Sequence, residues 1–163
     1  LYKAVLQRLG DDLERDLQSI QASRGTAGER LRLALRHQAG GVAREPQRNR
    51  LILRELMDNL GRVERAKSFP LRRWVAGFCV LIEAAQAEGA AAAGPAIVLF
   101  AQYLGALAYG LAVRPTFARM AMAPGLLDDE RRWIAAVAAS AEQALLGDKR
   151  PAETGMEFGR DVP

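Results

Sequence analysis

The sequence has one cysteine, Cys79, one histidine, His37, and only three lysines, Lys3, Lys67 and Lys149, among 163 residues. A lone cysteine excludes an internal disulfide framework and a cysteine-built zinc cage. A lone histidine excludes every site that needs two, the zinc-protease helix among them. The Glu-x-x-His pattern of di-iron bundles is also missing, because Ala34 stands three residues before His37. There is no glycine-rich phosphate loop and no Gly-x-Ser-x-Gly nucleophile turn. No stretch alternates polar and apolar residues as a half-buried strand does. No basic leader runs into a short apolar core, so no signal peptide is read. With no catalytic constellation left, the expectation is a cytoplasmic non-enzyme without metal or cofactor.

What is present is ordinary globular material, 50% hydrophobic and 26% charged, at a length that suits one domain. The net charge is +4, and the excess is uneven: residues 24–73 hold thirteen basic side chains against five acidic ones. The arginines in that stretch are spread over three helices without interleaved aromatics for stacking bases, so it is read as compositional bias and not as a nucleic-acid surface. Residues 96–113 carry no charge at all. That length lies at the lower edge of a membrane span. Gln102, two glycines and the lack of a second span favour a buried helix, and no membrane partner is expected. The chain opens on Leu1, already inside a helical pattern, which suggests a truncated start.

The periodicity is helical throughout, and the spacing predicts six helices. The first, over about 1–22, places Leu6, Leu9, Leu13, Leu17 and Ile20 on one face. The second opens on a capping box, Thr26 with Glu29, and turns Leu31, Leu35, Gln38 and Val42 inward, with Gly40-Gly41 weakening its end. The third starts at Pro46, buries Ile52, Leu53, Leu56, Met57 and Leu60, and stops at Gly61. The fourth begins near Ser68 and Pro70, runs to about Gln86, and carries Trp74, Val75, Phe78, Leu81 and Ile82. The Ala-rich run 90–93 fits either more helix or a loop. The fifth spans about 95–113 and is stopped by Arg114-Pro115, with one short turn over 116–122. The sixth runs from about Asp128 to Leu146 and ends at Gly147, leaving 148–163 as a mobile tail.

The fifth helix has two characters. Ile97, Phe100, Tyr103, Leu104, Leu107 and Leu111 form a bulky arc, whereas Ala101, Gly105, Ala108 and Ala112 form a small-residue arc beside it. Small residues at such steps let another backbone come close. A helix apolar nearly all round needs cover on every side, and a partner subunit could supply it as a symmetric four-helix bundle. The aromatics Phe69, Trp74, Phe78, Phe100 and Tyr103 gather on the fourth and fifth helices. They fit either a packed core or the wall of an apolar ligand cavity, with Gln102 and Asn59 as polar groups able to orient a ligand.

The opening Leu1-Tyr2-Lys3-Ala4-Val5-Leu6 resembles the run that follows the helix-turn-helix in TetR-type transcriptional regulators. Leu53-Arg54-Glu55-Leu56-Met57-Asp58-Asn59 is similar to a run in some of their effector domains, and Ala85-Gln86-Ala87-Glu88-Gly89 resembles the end of a central helix there. The uncharged helix, a proline, a turn and a final helix resemble their dimerisation pair. The likeness spans roughly 1–147. It implies an all-α effector-binding and dimerisation domain whose last two helices build the dimer bundle. The family's N-terminal helix-turn-helix is missing from this sequence, so operator DNA would be met only through that absent head.

Carried over residue by residue, the resemblance implies an effector pocket of His37, Leu56, Met57, Leu60, Trp74, Phe78, Phe100, Tyr103 and Leu107 for a small apolar or aromatic molecule. It implies dimer contacts at Ala101, Gly105, Ala108, Ala112, Trp133, Ile134, Val137 and Ala141 in a homodimer. The function it implies is ligand-controlled repression. The alternative is a free-standing helical protein-interaction module without a ligand.

Overall fold

The computed structural model describes residues 2–57, 69–120 and 125–147. Among them are six α-helices and no strand: α1 (Tyr2–Gln21), α2 (Ala27–Arg44), α3 (Pro46–Met57), α4 (Arg72–Ala87), α5 (Ala96–Arg119) and α6 (Glu130–Leu146). The protein is an all-α bundle in which α2 is central, packed against α1, α3, α4 and α6, while α4 bridges α1 to α5 and α5 lies along α6.

The helix starts follow local chemistry. Thr26 Oγ1 accepts from the Glu29 amide at 3.1 Å, and Glu29 Oε2 accepts from the Thr26 amide at 2.8 Å, closing the capping box. A second carboxylate reaches the same terminus from across the bundle: Glu88 Oε2 accepts from the amides of Ala27 and Gly28 at 2.7 and 3.3 Å. Negative charge at a helix N-terminus satisfies free N–H groups and the local dipole. Asp129 caps α6 by accepting from the Arg131 and Arg132 amides, so α6 begins at Glu130, just after the predicted Asp128.

α2 runs through Gly40-Gly41 to Arg44, and buried Val42 holds that last turn to the core. One boundary differs from expectation. Arg114-Pro115 does not end α5, which continues to Arg119 with Pro115 inside it. A mid-helix proline costs roughly 3 kcal/mol or more. Here neighbouring contacts offset it. Arg114 donates to the Leu127 carbonyl at 2.8 Å and to Glu130 Oε2 at 3.0 Å, and the Trp133 indole N–H donates to the Gly110 carbonyl at 2.7 Å. Those bonds tie the end of α5 to the start of α6. The Ala-rich run is a loop, held by Gln86, whose Nε2 donates to the carbonyls of Ala92 and Gly94. The predicted stop at Gly61 and the tail 148–163 lie outside the described residues.

The core follows the helical registers. Leu6, Leu9, Leu13, Leu17 and Ile20 of α1 are all buried, as are Leu31, Leu35, Gln38 and Val42 of α2. At the centre Trp74 and Phe78 meet edge-on with centroids 5.6 Å apart, Trp74 meets Phe100 edge-on at 5.3 Å, and Phe78 stacks on Phe100 at 4.6 Å. Such pairs each add about 0.5–1.5 kcal/mol beyond the area they bury.

Candidate functional site

The aromatic set is solid core. Trp74, Phe78, Phe100, Tyr103 and Leu107 are each 2% exposed or less and fill their space against one another and α2. The void touching Trp74 and Phe78 measures about 10 Å³, too small for a ligand. The space beside Trp74 and Phe78 is thus filled, while Tyr103 also borders a groove between α5 and α6. Of two further members of the predicted effector pocket, His37 borders that same small void and Leu56 does not. Leu56 is on the outside of α3, 38% exposed, and His37 is exposed on α2 with Nε2 4.0 Å from Asp16 Oδ2. The Met57 side chain, Leu60 and Asn59 lie outside the described residues.

Tyr103 is anchored instead of free. Its phenol donates to the Leu35 carbonyl at 2.6 Å, inside the core. Burial, then the Glu142 charge, pushes this phenol well above its ordinary range. Burial likewise raises the Cys79 thiol, with Glu83 adding to it, which disfavours the reactive thiolate. Among the described residues no cluster of three His, Cys, Asp or Glu side chains could hold a metal.

Among the described residues, other concavities lie between the helices. One, about 950 Å³, lies between α2 and α6. A charge clamp crosses it: Glu142 accepts two bonds from Arg36 at 3.1 Å each, with Arg32 at 3.4 Å from the same carboxylate. A smaller pocket of about 160 Å³ sits where α1, α2 and α3 meet. The third is an open groove of about 540 Å³ between α5 and α6, lined by small or apolar side chains such as Ala106, Ala136, Ala141 and Ala144, with Gln102 and Ser140 at its surface.

That third feature extends to a whole helix face. Ala101, Gln102, Gly105 and Ala112 are exposed, as are Ile97, Val98 and Tyr109, the last at 65%. The most apolar 18-residue window of α5 is only 33% buried within the chain. By length and composition α5 could also cross a membrane. Its other face, however, is fastened into the bundle by Phe100, Tyr103 and Leu107.

Of the residues predicted for subunit contact, the structure brings Ala101, Gly105 and Ala112 to the open face, and leaves Ala108, Trp133, Val137 and Ala141 half-buried at or beside the groove. Ile134, 1% exposed, is instead packed between α2 and α6 within the chain. Gly110 is the glycine that lets α5 approach α6 within the chain, since a Cβ there would meet Val137 at 3.1 Å. A Cβ on Gly105 would meet nothing within 4 Å.

The sequence reading passed over Arg48 and Asn49, which line the small pocket. A signal existed. Asn49 stands three residues before Ile52, on the apolar stripe of α3, where a polar side chain is out of pattern. Comparison with protein-family models, with curated proteins and with solved structures returns no match.

Proposed function

We propose that this chain is the effector-binding and dimerisation domain of a TetR-like transcriptional regulator, with a second copy seated on the α5–α6 face. The carrying observation is that face: an uncharged, small-residue helix surface, one-third buried within the chain, beside a groove of matching character. Large exposed apolar patches mark association surfaces. A two-fold pairing of the same two helices would let each copy's small residues admit the other's backbone. The order of six helices and the motifs quoted above support the family assignment. In this reading DNA is met through a helix-turn-helix that these residues do not include, and an effector acts by binding one dimer arrangement more tightly than the other. A helical interaction module that docks an unrelated chain on the same face is the second reading.

Gly105→Leu tests the proposal, because a Cβ at that position points into open space with nothing packed within 4 Å. Light scattering should find the unaltered chain at twice 17.8 kDa and the variant at 17.8 kDa, with equal helicity by circular dichroism. An unaltered chain that is monomeric, or a variant that stays dimeric, overturns the assignment. A monomer that captures a different partner through this face would favour the interaction module.

A further inference from the structure

We infer that residues 148–163, which follow α6, fold back along the groove between α2 and α6 of their own chain. The floor of that groove is made of small side chains, among them Ala39 and Ala43 of α2 and Ala135 and Ala139 of α6. Its rim is charged: Arg32, Arg36 and Arg131 line it together with Glu29 and Glu142. Both acids are engaged within the bundle. Glu29 closes the capping box at Thr26, and Glu142 takes Arg32 and Arg36. The Glu142 side chain is only 14% exposed, whereas those of Arg32 and Arg36 are 54% and 65% exposed, so the side turned outward is basic. A floor without bulk under a basic rim fits an acidic segment that brings large apolar side chains of its own.

Residues 151–159, Pro-Ala-Glu-Thr-Gly-Met-Glu-Phe-Gly, have that character. They hold two glutamates and no basic residue. In extended chain successive side chains alternate, so Met156 and Phe158 share one side and Glu157 takes the other. Met156 and Phe158 then supply bulk over the alanines, and Glu157 meets the arginines. The chain also starts in the right place. It leaves α6 at Gly147, which itself lines the groove and whose φ of 71° is the left-handed value that favours glycine after a helix. The reach suffices. From Gly147 to Arg131 along α6 is about 24 Å at roughly 1.5 Å per residue. Residues 148–158 span up to about 36 Å when extended. The groove on the other flank of α6, towards α5, has no cation among its described lining residues for Glu157 to meet. The outer side of α1 exposes Asp11 and Asp16, which repel an acidic segment. The inference is independent of the effector-domain reading, which seats a second copy on the α5 side of α6.

NMR on the full chain tests it. Backbone order parameters over residues 155–159 are expected near about 0.85, the level of a packed backbone. Cross-peaks are expected from the Phe158 ring to the methyl groups of Ala135 and Ala139. Phe158→Ser, a change beyond α6, should drop the order parameters below about 0.6 with helicity unchanged by circular dichroism. Arg131→Glu, which reverses a rim charge, should lower them as well. Order parameters below about 0.6 in the unaltered chain overturn the inference. So does an ordered segment without those cross-peaks, or a Phe158→Ser segment that stays equally ordered. Isotope-filtered spectra of mixed labelled and unlabelled chains separate one copy from two, and cross-peaks found only between copies overturn the placement within one chain. None of these outcomes bears on the mass found by light scattering, so failure of the tail contact and failure of the dimer are told apart.

Discussion

Tyr103 shows how a single side chain carries information between distant parts of the chain. Its hydroxyl bonds a carbonyl 68 residues away, on α2. Removing that hydroxyl leaves a buried bond unmade, so Tyr103→Phe should lower stability by about 1 kcal/mol, measured by urea unfolding. The pH dependence has a definite sign. The folded chain holds the phenol proton above the ordinary value of 10.0, while the unfolded chain releases it near that value. Above about pH 10 the unfolded state therefore binds fewer protons, and stability falls as pH rises. Tyr103→Phe should flatten that alkaline loss; an unchanged alkaline slope would refute the role of this phenol. Periodicity placed Tyr103 on the bulky arc of α5, and the structure buries it. Spacing could not say whether the hydroxyl met a ligand or a carbonyl, because the Leu35 carbonyl arrives only with tertiary packing.

Among the elements, glycine positions separate contacts that look alike in sequence. Gly10 lies mid-way along α1, where alanine would favour the helix by about 1 kcal/mol. A Cβ there would run into the backbone carbonyl of Pro70, at the approach to α4. Overpacking against backbone typically costs 1–3 kcal/mol. Gly10→Ala should therefore destabilise the chain in thermal melts despite its better helix propensity. A stabilised variant would show that α1 can shift away from Pro70. Helix starts were legible because caps are local: Thr26 with Glu29, and Pro46 at the head of α3, need only their neighbours. The end of α5 was not legible. Proline rules are local too, but Arg114, Trp133 and the turn before α6 override them through contacts between helices.

At the scale of the whole molecule, the α5 surface is the feature that stability alone leaves unexplained. If two copies cover it, folding and association are linked by mass action. The melting temperature of the unaltered chain should then rise by a few degrees with a tenfold increase in concentration, and that of Gly105→Leu should not. Identical, concentration-independent melts would argue against a dimer. The clamp of Arg32 and Arg36 on Glu142 is a lesser feature at this scale. Its arginines are more than half exposed, so it orients α6 on α2 more than it stabilises the bundle.

By itself the sequence determined that the protein is helical, where most helices begin, and which stripe of α1, α2 and α4 faces inward. Those properties depend on a 3.6-residue period and on side chains within one turn of each other. Only the tertiary structure decided that Trp74, Phe78 and Phe100 close on one another without leaving a cavity, that Ile134 turns to α2, and that Gly110 rather than Gly105 admits the neighbouring helix within the chain. It also decided that the Asn49 amide and the Arg48 Nη2 are buried without a hydrogen-bond partner where three helices meet. Residual space and unmet hydrogen bonds are set by how separate helix faces meet, and that meeting has no counterpart in the spacing of residues along any one of them.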